Sequence, residues 1–273
     1  MWCMTKITLS EKVILITGAS SGIGEATALR FAEQGCRVVL AARRLERIKD
    51  LEASIQAAGG KALAVLTDVS QPDSLSSLVN KVFTEWGQID LLFNNAGFGR
   101  LKFLDELDPV LDIEAQLRVN LVGLIQLTRL VLPYMIERQS GHIINMASIA
   151  GLVAMPTYSI YAASKFAVRG FTDALRREVG MLGVQVSGIY PGSVETEFKM
   201  HSGARRKTGI HTPRFLTLSA DDVAREVIKV AYHPRRMVVI PRFMLPTIWF
   251  SRYFPGITDW VVKQTFVRGE RSK

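Results

Sequence analysis

The sequence contains little of what disulfide frameworks and metal sites require. Among 273 residues there are two cysteines, Cys3 and Cys36, without metal-like spacing, so neither a disulfide framework nor a zinc site is expected. The four histidines show no metal-binding pattern and are interpreted as structural or surface residues; they are His142, His201, His211 and His233. We therefore expect no metal ion, and the scarcity of cysteine favours a reducing, cytoplasmic location.

Targeting signals and long apolar runs are also missing. Residues 1–6 lack the apolar core of a signal peptide, and the run Val13–Ile16 is too short to span a bilayer. Acidic residues are outnumbered, with 25 Asp and Glu against 34 Lys and Arg, for a net charge of +9. A basic excess favours anions such as phosphorylated cofactors, acidic lipids or nucleic acid. No nucleic-acid motif accompanies it, so no nucleic-acid partner is expected.

What the sequence does contain is an alternation of short apolar runs and amphipathic segments. Runs such as Arg37–Ala42 predict strands buried on both faces, and Pro72–Trp86 predicts an amphipathic helix. Hydrophobic residues make up 48% and charged residues 22% of the chain, which suits one large globular domain over residues 1–273. The alternation predicts an α/β fold around a parallel sheet.

A glycine-rich turn follows the first predicted strand. Thr17-Gly-Ala-Ser-Ser-Gly-Ile-Gly24 lies between the buried run Val13–Ile16 and an amphipathic helix. In such a turn one glycine allows the tight bend, one lets a pyrophosphate approach the backbone, and one allows close helix packing. The helix N-terminus then offers amide donors to the phosphates. This unit predicts a dinucleotide site.

The end of the second predicted strand lacks the acid that a NAD-selective protein usually places there to bind the adenosine ribose. Ala42 occupies that place and is followed by Arg43 and Arg44. A guanidinium suits a 2′-phosphate, although two arginines could equally begin a solvated helix. The missing acid favours NADP(H), with NAD(H) as the alternative.

Polar residues follow two further predicted strands, and an asparagine interrupts a long predicted helix. Asp68, in Thr67-Asp-Val69, could meet the adenine or cap a helix, and Asn94-Asn-Ala-Gly97 permits close approach of a cofactor. Asn120 lies within the predicted helix Leu111 to Glu137, where asparagine is unfavourable. It either bonds backbone and kinks the helix or holds a water near the reacting groups.

Ser148 follows the fifth predicted strand, at the sheet edge where α/β proteins bind ligands. If Tyr161 begins a helix, Lys165 lies four residues further on the same face. An ammonium beside a phenol lowers the phenol pKa and prepares it to move protons. By spacing alone, the pair could instead be ordinary solvent-facing residues.

Six motifs in this order resemble the short-chain dehydrogenase/reductase family from about Lys12 to about Thr196: Thr17-Gly-x-x-x-Gly-x-Gly24, Asn94-Asn-Ala-Gly97, Asn120, Ser148, Tyr161-x-x-x-Lys165 and Pro191-Gly192. The resemblance implies a single-domain, Rossmann-like, doubly wound parallel sheet of about seven strands with helices on both faces. It also implies hydride exchange between a nicotinamide and a carbonyl or alcohol.

The resemblance assigns roles to individual residues. Tyr161 would donate the proton, Lys165 would hold the nicotinamide ribose and lower the Tyr161 pKa, and Ser148 would position the substrate oxygen. Asn120 would anchor a water that resupplies protons. The expected cofactor-binding residues, besides Tyr161 and Lys165, are Gly18, Ser20, Ser21, Gly22, Ile23, Gly24, Arg43, Asp68, Val69, Asn94, Ala96, Gly97, Pro191, Gly192, Val194 and Thr196.

One departure from the family bears on the cofactor. Many NADP-preferring members carry a basic residue before the second motif glycine, where this sequence has Ser21. Arg43 must then carry the NADP(H) preference, with help from Arg44.

The variable end begins after Thr196. Residues 197–218 are polar, basic and glycine-containing, and the resemblance makes them a substrate lid. Residues 241–273 interleave aromatic with basic side chains. We expect these aromatics to wall the substrate pocket and pack a subunit interface of a homodimer or homotetramer, in preference to peripheral contact with a membrane.

The leading functional hypothesis is an NADPH-dependent reductase acting on a hydrophobic ketone or aldehyde. The same residues would serve an alcohol or steroid dehydrogenase running in the oxidative direction. A non-catalytic dinucleotide-binding regulator is the third hypothesis, but that class usually loses the Tyr or Lys, and both are present here.

Overall fold

The computed structural model describes residues 8–198, 202 and 217–271. Its centre is a seven-stranded sheet made of β1 (Val13–Thr17), β2 (Arg37–Ala42), β3 (Lys61–Leu66), β4 (Leu91–Asn94), β5 (Gly141–Met146), β6 (Val184–Pro191) and β9 (Met237–Ile240). The strands lie in the order β3-β2-β1-β4-β5-β6-β9, and every neighbouring pair is parallel. Two short strands, β7 (Val194–Glu195) and β8 (Leu218–Ser219), pair separately.

Helices cover both faces of this sheet. Residues of three helices join one hydrophobic cluster with the strands: Gly22–Glu33, Leu45–Ala57 and Ala220–Tyr232. Residues of three others join a second cluster on the opposite face: Pro72–Trp86, Pro109–Glu137 and Ser159–Val179. The predicted doubly wound, seven-stranded α/β architecture is therefore confirmed.

Parallel pairing brings the carboxyl ends of the strands to one edge of the sheet. The strand order reverses between β1 and β4, which are neighbours in the sheet although three helix crossovers separate them in the chain. The glycine turn after β1 and the Asn94-Asn-Ala-Gly97 segment after β4 therefore flank the same crevice. The segments after β5 and β6, with Ser148 and Thr196, lie along the same edge.

The long helix Pro109–Glu137 is irregular where Asn120 lies. Arg118–Gly123 has π-helical hydrogen bonding, which indicates an insertion into the regular helical ladder. Gly123 approaches the turn after β3 so closely that a Cβ there would lie 2.1 Å from the Val69 carbonyl oxygen. The helix is therefore irregular around Asn120, although the Asn120 side chain bonds Phe98 of another segment and not the local helix backbone.

By length and apolar composition alone, this helix could also cross a membrane. Leu127, Val131 and Met135 are fully buried, however, and pack with the strands in the second cluster. We therefore interpret the helix as part of the core.

The C-terminal segment forms the helix Leu245–Tyr253 and a continuous helical run from Pro255 to Arg271, in which Lys263–Val267 has π-helical hydrogen bonding. Pro246 and Pro255 lie in the first turns of these helices, where proline costs no hydrogen bond. The first helix is far shorter than the roughly 20 residues that a membrane span needs, and the second run contains five charged residues.

The tail aromatics lie largely on the outer surface of the described residues. Trp249, Tyr253 and Trp260 are more than half exposed. A pocket of about 290 Å³ beside the tail is lined by Ala154, Pro156, Ser251, Pro255, Thr258, Asp259, Val262, Lys263 and Val267. That the aromatics wall the substrate pocket and pack a subunit interface stays a prediction.

Candidate active site

Tyr161 and Lys165 lie in the first turns of the helix Ser159–Val179, one turn apart as predicted. Both are buried, with 8% of Tyr161 and 4% of Lys165 exposed. Lys165 Nζ lies 5.7 Å from the Tyr161 ring centroid and donates to the Met146 carbonyl oxygen at 2.9 Å. The solvent-facing alternative for this pair is therefore wrong.

The pKa values of the pair differ from the expectation. Burial raises the pKa of Tyr161 to about 12, opposed by a hydrogen bond with Ser148, and burial lowers the pKa of Lys165 to about 8. Burial is the dominant influence on the phenol in this structure, and the lowering of the Tyr161 pKa by Lys165 stays a prediction. A bound ligand that adds positive charge or donates a hydrogen bond to the phenol would bring its pKa down.

Ser148 lies two residues beyond the end of β5. Its hydroxyl accepts from Ala150 N at 3.1 Å and lies 3.5 Å from the Pro191 carbonyl oxygen. It is close enough to the Tyr161 phenol to oppose the effect of burial on the phenol pKa. One hydroxyl and one phenol therefore converge on the same point, as two hydrogen-bonding groups for a single ligand oxygen must do.

Asn120 is fully buried and joins two segments of the site. Its Oδ1 accepts from Phe98 N at 2.9 Å, and its Nδ2 donates to Phe98 O at 2.8 Å and to Ser164 Oγ at 3.2 Å. Ser164 Oγ in turn donates to the Tyr161 carbonyl oxygen at 2.7 Å. Asn120 therefore bonds the backbone of another segment, and both of its amide hydrogens are used, so a water could only donate to its oxygen.

The glycine turn is held between two loops. Gly18 and Gly22 have φ of +68° and +58°, and a Cβ would lie 2.9 Å from Ala96 Cα at Gly18 and 3.0 Å from Thr196 Cγ2 at Gly22. A Cβ on Gly24 would lie 2.2 Å from the Gly18 carbonyl oxygen. The three glycines therefore serve backbone conformation and close approach, as predicted.

Asn95 is a residue of this crevice that the sequence reasoning did not single out. Its Nδ2 donates to Thr17 O at 3.0 Å and to Gly18 O at 3.3 Å, while Thr17 Oγ1 accepts from the backbone N–H of Asn95 and of Ala96, each at 3.0 Å. Asn95 thus fixes the glycine turn against the end of β4. Alternation along the strand could have indicated it, because consecutive side chains point to opposite faces.

Asn94, predicted as a cofactor ligand, points inward. It is 3% exposed, and its Nδ2 donates to Thr128 Oγ1 and Asn145 Oδ1, each at 2.9 Å. Its side chain therefore links β4, β5 and the helix behind them. Only its backbone could contact a cofactor in this arrangement.

Arg43 and Arg44 have different surroundings. Arg44 Nη2 donates to Ser21 Oγ at 2.6 Å and to Ser20 Oγ at 3.0 Å, and its Nη1 donates to Glu197 Oε2 at 2.7 Å. Arg43 is exposed and makes no ion pair or hydrogen bond within the described part of the chain. Arg44 therefore bonds the side chains of the glycine turn, whereas the guanidinium of Arg43 has no hydrogen-bond partner among the described residues.

Asp68 does not cap the helix Pro72–Trp86, whose N-cap is Gln71. Its Oδ1 accepts from Ser70 N at 2.9 Å and from Ser70 Oγ at 2.7 Å, closing a local turn. Val69 is buried beside this turn. Of the two alternatives for Asp68, the helix cap is excluded.

The remaining predicted cofactor residues line the crevice or support it. Gly97 lies beside the catalytic groups, since a Cβ there would be 3.1 Å from Asn120 Oδ1 and 3.6 Å from Lys165 Nζ. Gly192 N donates to Ile240 O at 2.7 Å, and Val194 pairs with Leu218 between β7 and β8. Ile23 packs against the hydrophobic core.

The first residues of the predicted lid close the crevice. Phe198 lies with its ring centroid 5.5 Å from that of Tyr161, and Glu197 holds Arg44. Ser202 O accepts from Leu101 N at 2.8 Å. The sequence reasoning singled out neither Glu197 nor Phe198, because a variable loop has no periodicity that ranks its residues. Residues 199–201 and 203–216 of the lid lie outside the described residues.

The crevice fits a dinucleotide. Ser21 is the N-cap of the helix Gly22–Glu33, but its side chain makes no capping hydrogen bond, so first-turn N–H groups remain available to a phosphate. The left-handed conformation of Gly18 and Gly22 gives the turn the shape of a backbone cradle. Within residues 8–198 and 217–271, no cluster of potential metal ligands accompanies it.

Comparisons with known proteins agree with this geometry. The family model described as short chain dehydrogenase matches residues 12–207. An uncharacterized oxidoreductase of Staphylococcus saprophyticus is 39% identical over 201 residues, which cover 71% of this chain and 78% of that protein.

Two solved structures have the same fold. A short-chain dehydrogenase/reductase from Burkholderia phymatum in complex with NAD superposes with a TM-score of 0.83 at 29% identity, covering 92% of this chain and 96% of that one. A short-chain dehydrogenase from Sphingobium yanoikuyae in complex with NADPH gives a TM-score of 0.78 at 26% identity, covering 92% and 94%. Both nicotinamide cofactors therefore occur among close structural neighbours.

Proposed function

We propose that this chain, which belongs to the short-chain dehydrogenase family, reduces the carbonyl group of a hydrophobic ketone or aldehyde with NADPH. Family membership makes it an NAD(P)-dependent oxidoreductase that interconverts CH–OH and C=O groups. The substrate class, the reductive direction and the NADPH preference are the proposed elements.

The observation that carries the proposal is the convergence of Ser148 and Tyr161 beside the dinucleotide crevice. Ser148 lies close enough to the phenol to oppose the effect of burial on its pKa, and a carbonyl oxygen placed between the two side chains would accept from both. When bound, the nicotinamide supplies the hydride. Tyr161 then gives its proton to the oxygen, which becomes a hydroxyl, while Ser148 holds that oxygen in position.

Lys165 and Asn120 support this step from behind. Lys165 Nζ donates to the Met146 carbonyl oxygen, on the last residue of β5, and would hold the nicotinamide ribose of a bound cofactor. Asn120 fixes the Tyr161 helix against the segment after β4 through Ser164 and Phe98. Both residues therefore position the phenol relative to a bound cofactor.

The NADPH preference rests on charge. Two guanidinium groups follow β2, with Ala42 in the place of the usual acid. Arg43 is exposed, so a 2′-phosphate can meet it without displacing a partner from the described residues. Arginine forms bidentate, charge-assisted hydrogen bonds with phosphate.

A hydrophobic substrate is favoured by the ring that covers the phenol. Phe198 lies 5.5 Å from Tyr161, and a Cβ on Gly99 would lie 2.9 Å from Phe198 Cζ. An apolar ring at this point leaves a ligand few polar partners on the lid side. The oxidative direction uses the same groups, with Tyr161 as base, and stands as the alternative.

Self-association through two helices is part of the proposal. Val110, Leu111 and Val122 on the helix Pro109–Glu137 are 60%, 71% and 40% exposed, and Phe166 on the helix Ser159–Val179 is 40% exposed. These apolar side chains suit the interface of a homodimer or homotetramer. Light scattering of the purified protein measures its oligomeric state. A monomer at all concentrations would contradict the proposed self-association.

A cytoplasmic location is likewise retained as a proposal. Cys36 is a free, buried thiol that donates to the Leu9 carbonyl oxygen, and burial raises its pKa to about 12. A reducing compartment is where free thiols persist. Localisation of a fluorescent fusion tests this directly.

The decisive experiment is a screen of NADPH oxidation against aldehydes, diketones, β-ketoacyl thioesters and steroids. With any accepted substrate, Tyr161→Phe should lower kcat at least about 100-fold, whereas Tyr134→Phe, which alters an exposed phenol, should not. Inactivity of the unmodified protein on every class would favour a dinucleotide-binding regulator. Turnover only of alcohols with NADP+ would favour the oxidative direction.

A further inference from the structure

The outer surface of the C-terminal helices carries a group of exposed apolar side chains, here called the tail patch. Its members are 46% to 67% exposed; they are Trp249, Phe250, Tyr253, Phe254, Ile257 and Trp260. Trp249 stacks on Tyr253 with ring centroids 4.6 Å apart, and Phe250 stacks on Phe254 at 5.1 Å. The four rings therefore form two adjacent pairs along one helix, which is more than the scattered apolar exposure of an ordinary surface.

The tail patch is fixed to the body of the protein. Met244, Leu245 and Ile248 pack against the hydrophobic cluster around Tyr190, and Phe266 is buried. Arg271 at the far end makes two hydrogen bonds with Asp105, at 2.9 and 2.8 Å. The aromatic rings therefore lie on a surface whose helices are packed against the body of the protein.

The charges around the tail patch are almost all positive. Among the described residues after β9, the exposed charged side chains are Arg242, Arg252, Lys263, Arg268, Arg271 and the single acid Asp259. Glu270, the other acid, is buried. Arg252 lies within the aromatic run itself, directly before Tyr253. A partner for this surface must therefore accept aromatic rings and cations together.

A second copy of this chain meets that requirement poorly. A symmetric dimer through the tail patch would bring Arg242, Arg252, Lys263 and Arg268 of each copy toward those of its partner. Arg271 is already paired with Asp105, and Asp259 is the one exposed acid among the described residues of the tail that could offset the other cations. Like charges at an interface oppose association. The interface of an anionic bilayer suits the same surface, because Trp and Tyr rings lie at the headgroup level while Arg and Lys extend to the phosphates.

We propose that the tail patch is a monotopic membrane-binding surface that inserts its aromatic rings into the interfacial region of an anionic phospholipid bilayer. The helix Leu245–Tyr253 has only nine residues, and the helical run Pro255–Arg271 carries five charged side chains, so neither spans the bilayer and both instead lie in its plane. The other side of the tail packs against the same hydrophobic cluster as Ile149 and Leu152, which follow Ser148. The bound bilayer therefore lies on the side of the protein that holds the segment after Ser148.

Flotation of the 273-residue chain with phospholipid vesicles tests this directly and requires no turnover. The protein should float with vesicles of phosphatidylcholine containing about 30% phosphatidylserine and bind neutral phosphatidylcholine vesicles far less. About 0.5 M salt should weaken the binding. Trp249→Ser combined with Trp260→Ser should lower the partition coefficient at least about tenfold.

Matched controls test whether vesicle binding depends on the tail patch or on exposed apolar and basic side chains anywhere on the protein. Leu66→Ser combined with Met181→Ser removes apolar side chains that are 58% and 98% exposed elsewhere and should leave flotation unchanged. Arg252→Gln with Lys263→Gln should lower partition to anionic vesicles about 25-fold, whereas Lys49→Gln with Lys81→Gln should have little effect. Melting curves confirm that each variant is folded.

Two results would overturn the proposal. One is that the unmodified protein fails to float with anionic vesicles, or that the Trp variant floats equally well. The other is that no protein floats while the Trp variant dissociates a dimer detected by light scattering, which assigns the tail patch to a second copy.

Discussion

Arg44 Nη1 donates to Glu197 Oε2 at 2.7 Å, joining the end of β2 to the first residue beyond Thr196. The same guanidinium donates to the hydroxyls of Ser20 and Ser21 in the glycine turn. Hydrogen bonding by Arg44 holds the pKa of the Glu197 carboxyl below its usual value. An ionised carboxylate thus competes with any phosphate for Arg44.

We predict that Glu197→Gln strengthens NADPH binding. Loss of the carboxylate charge frees Arg44 for the 2′-phosphate, and one charge-assisted hydrogen bond corresponds to roughly a tenfold lower Kd. The Kd of NADH, which has no 2′-phosphate, should change little. Fluorescence titration of both cofactors measures the two values.

The control for this prediction is Glu46→Gln, which removes an exposed acid from the neighbouring helix Leu45–Ala57. It should leave the ratio of the two Kd values unchanged. Arg44→Ala should abolish the gain from Glu197→Gln in the double variant. Equal improvement of NADH and NADPH binding would contradict a role for Arg44 in reading the 2′-phosphate.

Phe198→Ala should lower the pKa of Tyr161. Burial raises that pKa to about 12, and the Phe198 ring is part of the cover over the phenol. Removing it admits water, which stabilises phenolate. The alkaline limb of the pH profile of kcat/KM, which reports the free enzyme, should move to lower pH.

The matched control is Leu104→Ala, which truncates a side chain that is 56% exposed. Its profile should coincide with that of the unmodified protein. If the alkaline limb of the kcat/KM profile did not shift in Phe198→Ala, groups other than Phe198 would be responsible for burying the Tyr161 phenol.

Asn120→Ala should destabilise the protein and impair turnover together. The substitution leaves the backbone N–H and C=O of Phe98 without their side-chain partners, at a cost of about 1–3 kcal/mol in the free energy of unfolding. It also releases Ser164, which bonds the Tyr161 backbone. Urea unfolding and kcat measure the two effects.

Asn80→Ala, an exposed substitution on the helix Pro72–Trp86, is the control and should change neither quantity. If Asn120→Ala lowered stability but left kcat intact, Asn120 would be structural only. Loss of kcat without loss of stability would instead indicate a role in proton supply.

The sequence predicts elements that local patterns determine. Continuous β-branched runs gave the strands, and β2 and the helix Pro72–Trp86 have the predicted bounds. The pairing of Tyr161 with Lys165 was predictable because helical spacing fixes it. Their burial was not, since it depends on Phe198 and on other segments distant in the chain.

Side-chain direction accounts for most of the remaining differences. Asn94 and Asn95 are adjacent at a strand end, yet only Asn95 reaches the glycine turn. Arg43 and Arg44 are adjacent as well, yet only Arg44 bonds that turn. In each pair the residue type was predicted to bind at this edge of the sheet. Adjacent side chains point in different directions, however, and this decides which of the two reaches the glycine turn.

His142 should make the protein sensitive to acid. It is buried in β5, its Nε2 lies 2.9 Å from Ser187 Oγ, and burial lowers its pKa to about 3 from 6.5. The folded state therefore keeps His142 neutral where the unfolded state takes up a proton. Stability from this residue is present above pH 6.5 and is lost as the pH falls toward 3. Between pH 7 and about pH 4.5 the loss should reach roughly 2–3 kcal/mol.

His142→Gln tests this assignment, because an amide can still bond Ser187 but does not titrate. The variant should be less stable than the unmodified protein at pH 7, yet its free energy of unfolding should fall less between pH 7 and about pH 4.5. His233→Gln, at an exposed position beyond the helix Ala220–Tyr232, should keep the original pH dependence. An identical slope in His142→Gln and the unmodified protein would assign the acid sensitivity to carboxyl groups, such as that of Asp173, whose pKa is lowered by Arg236.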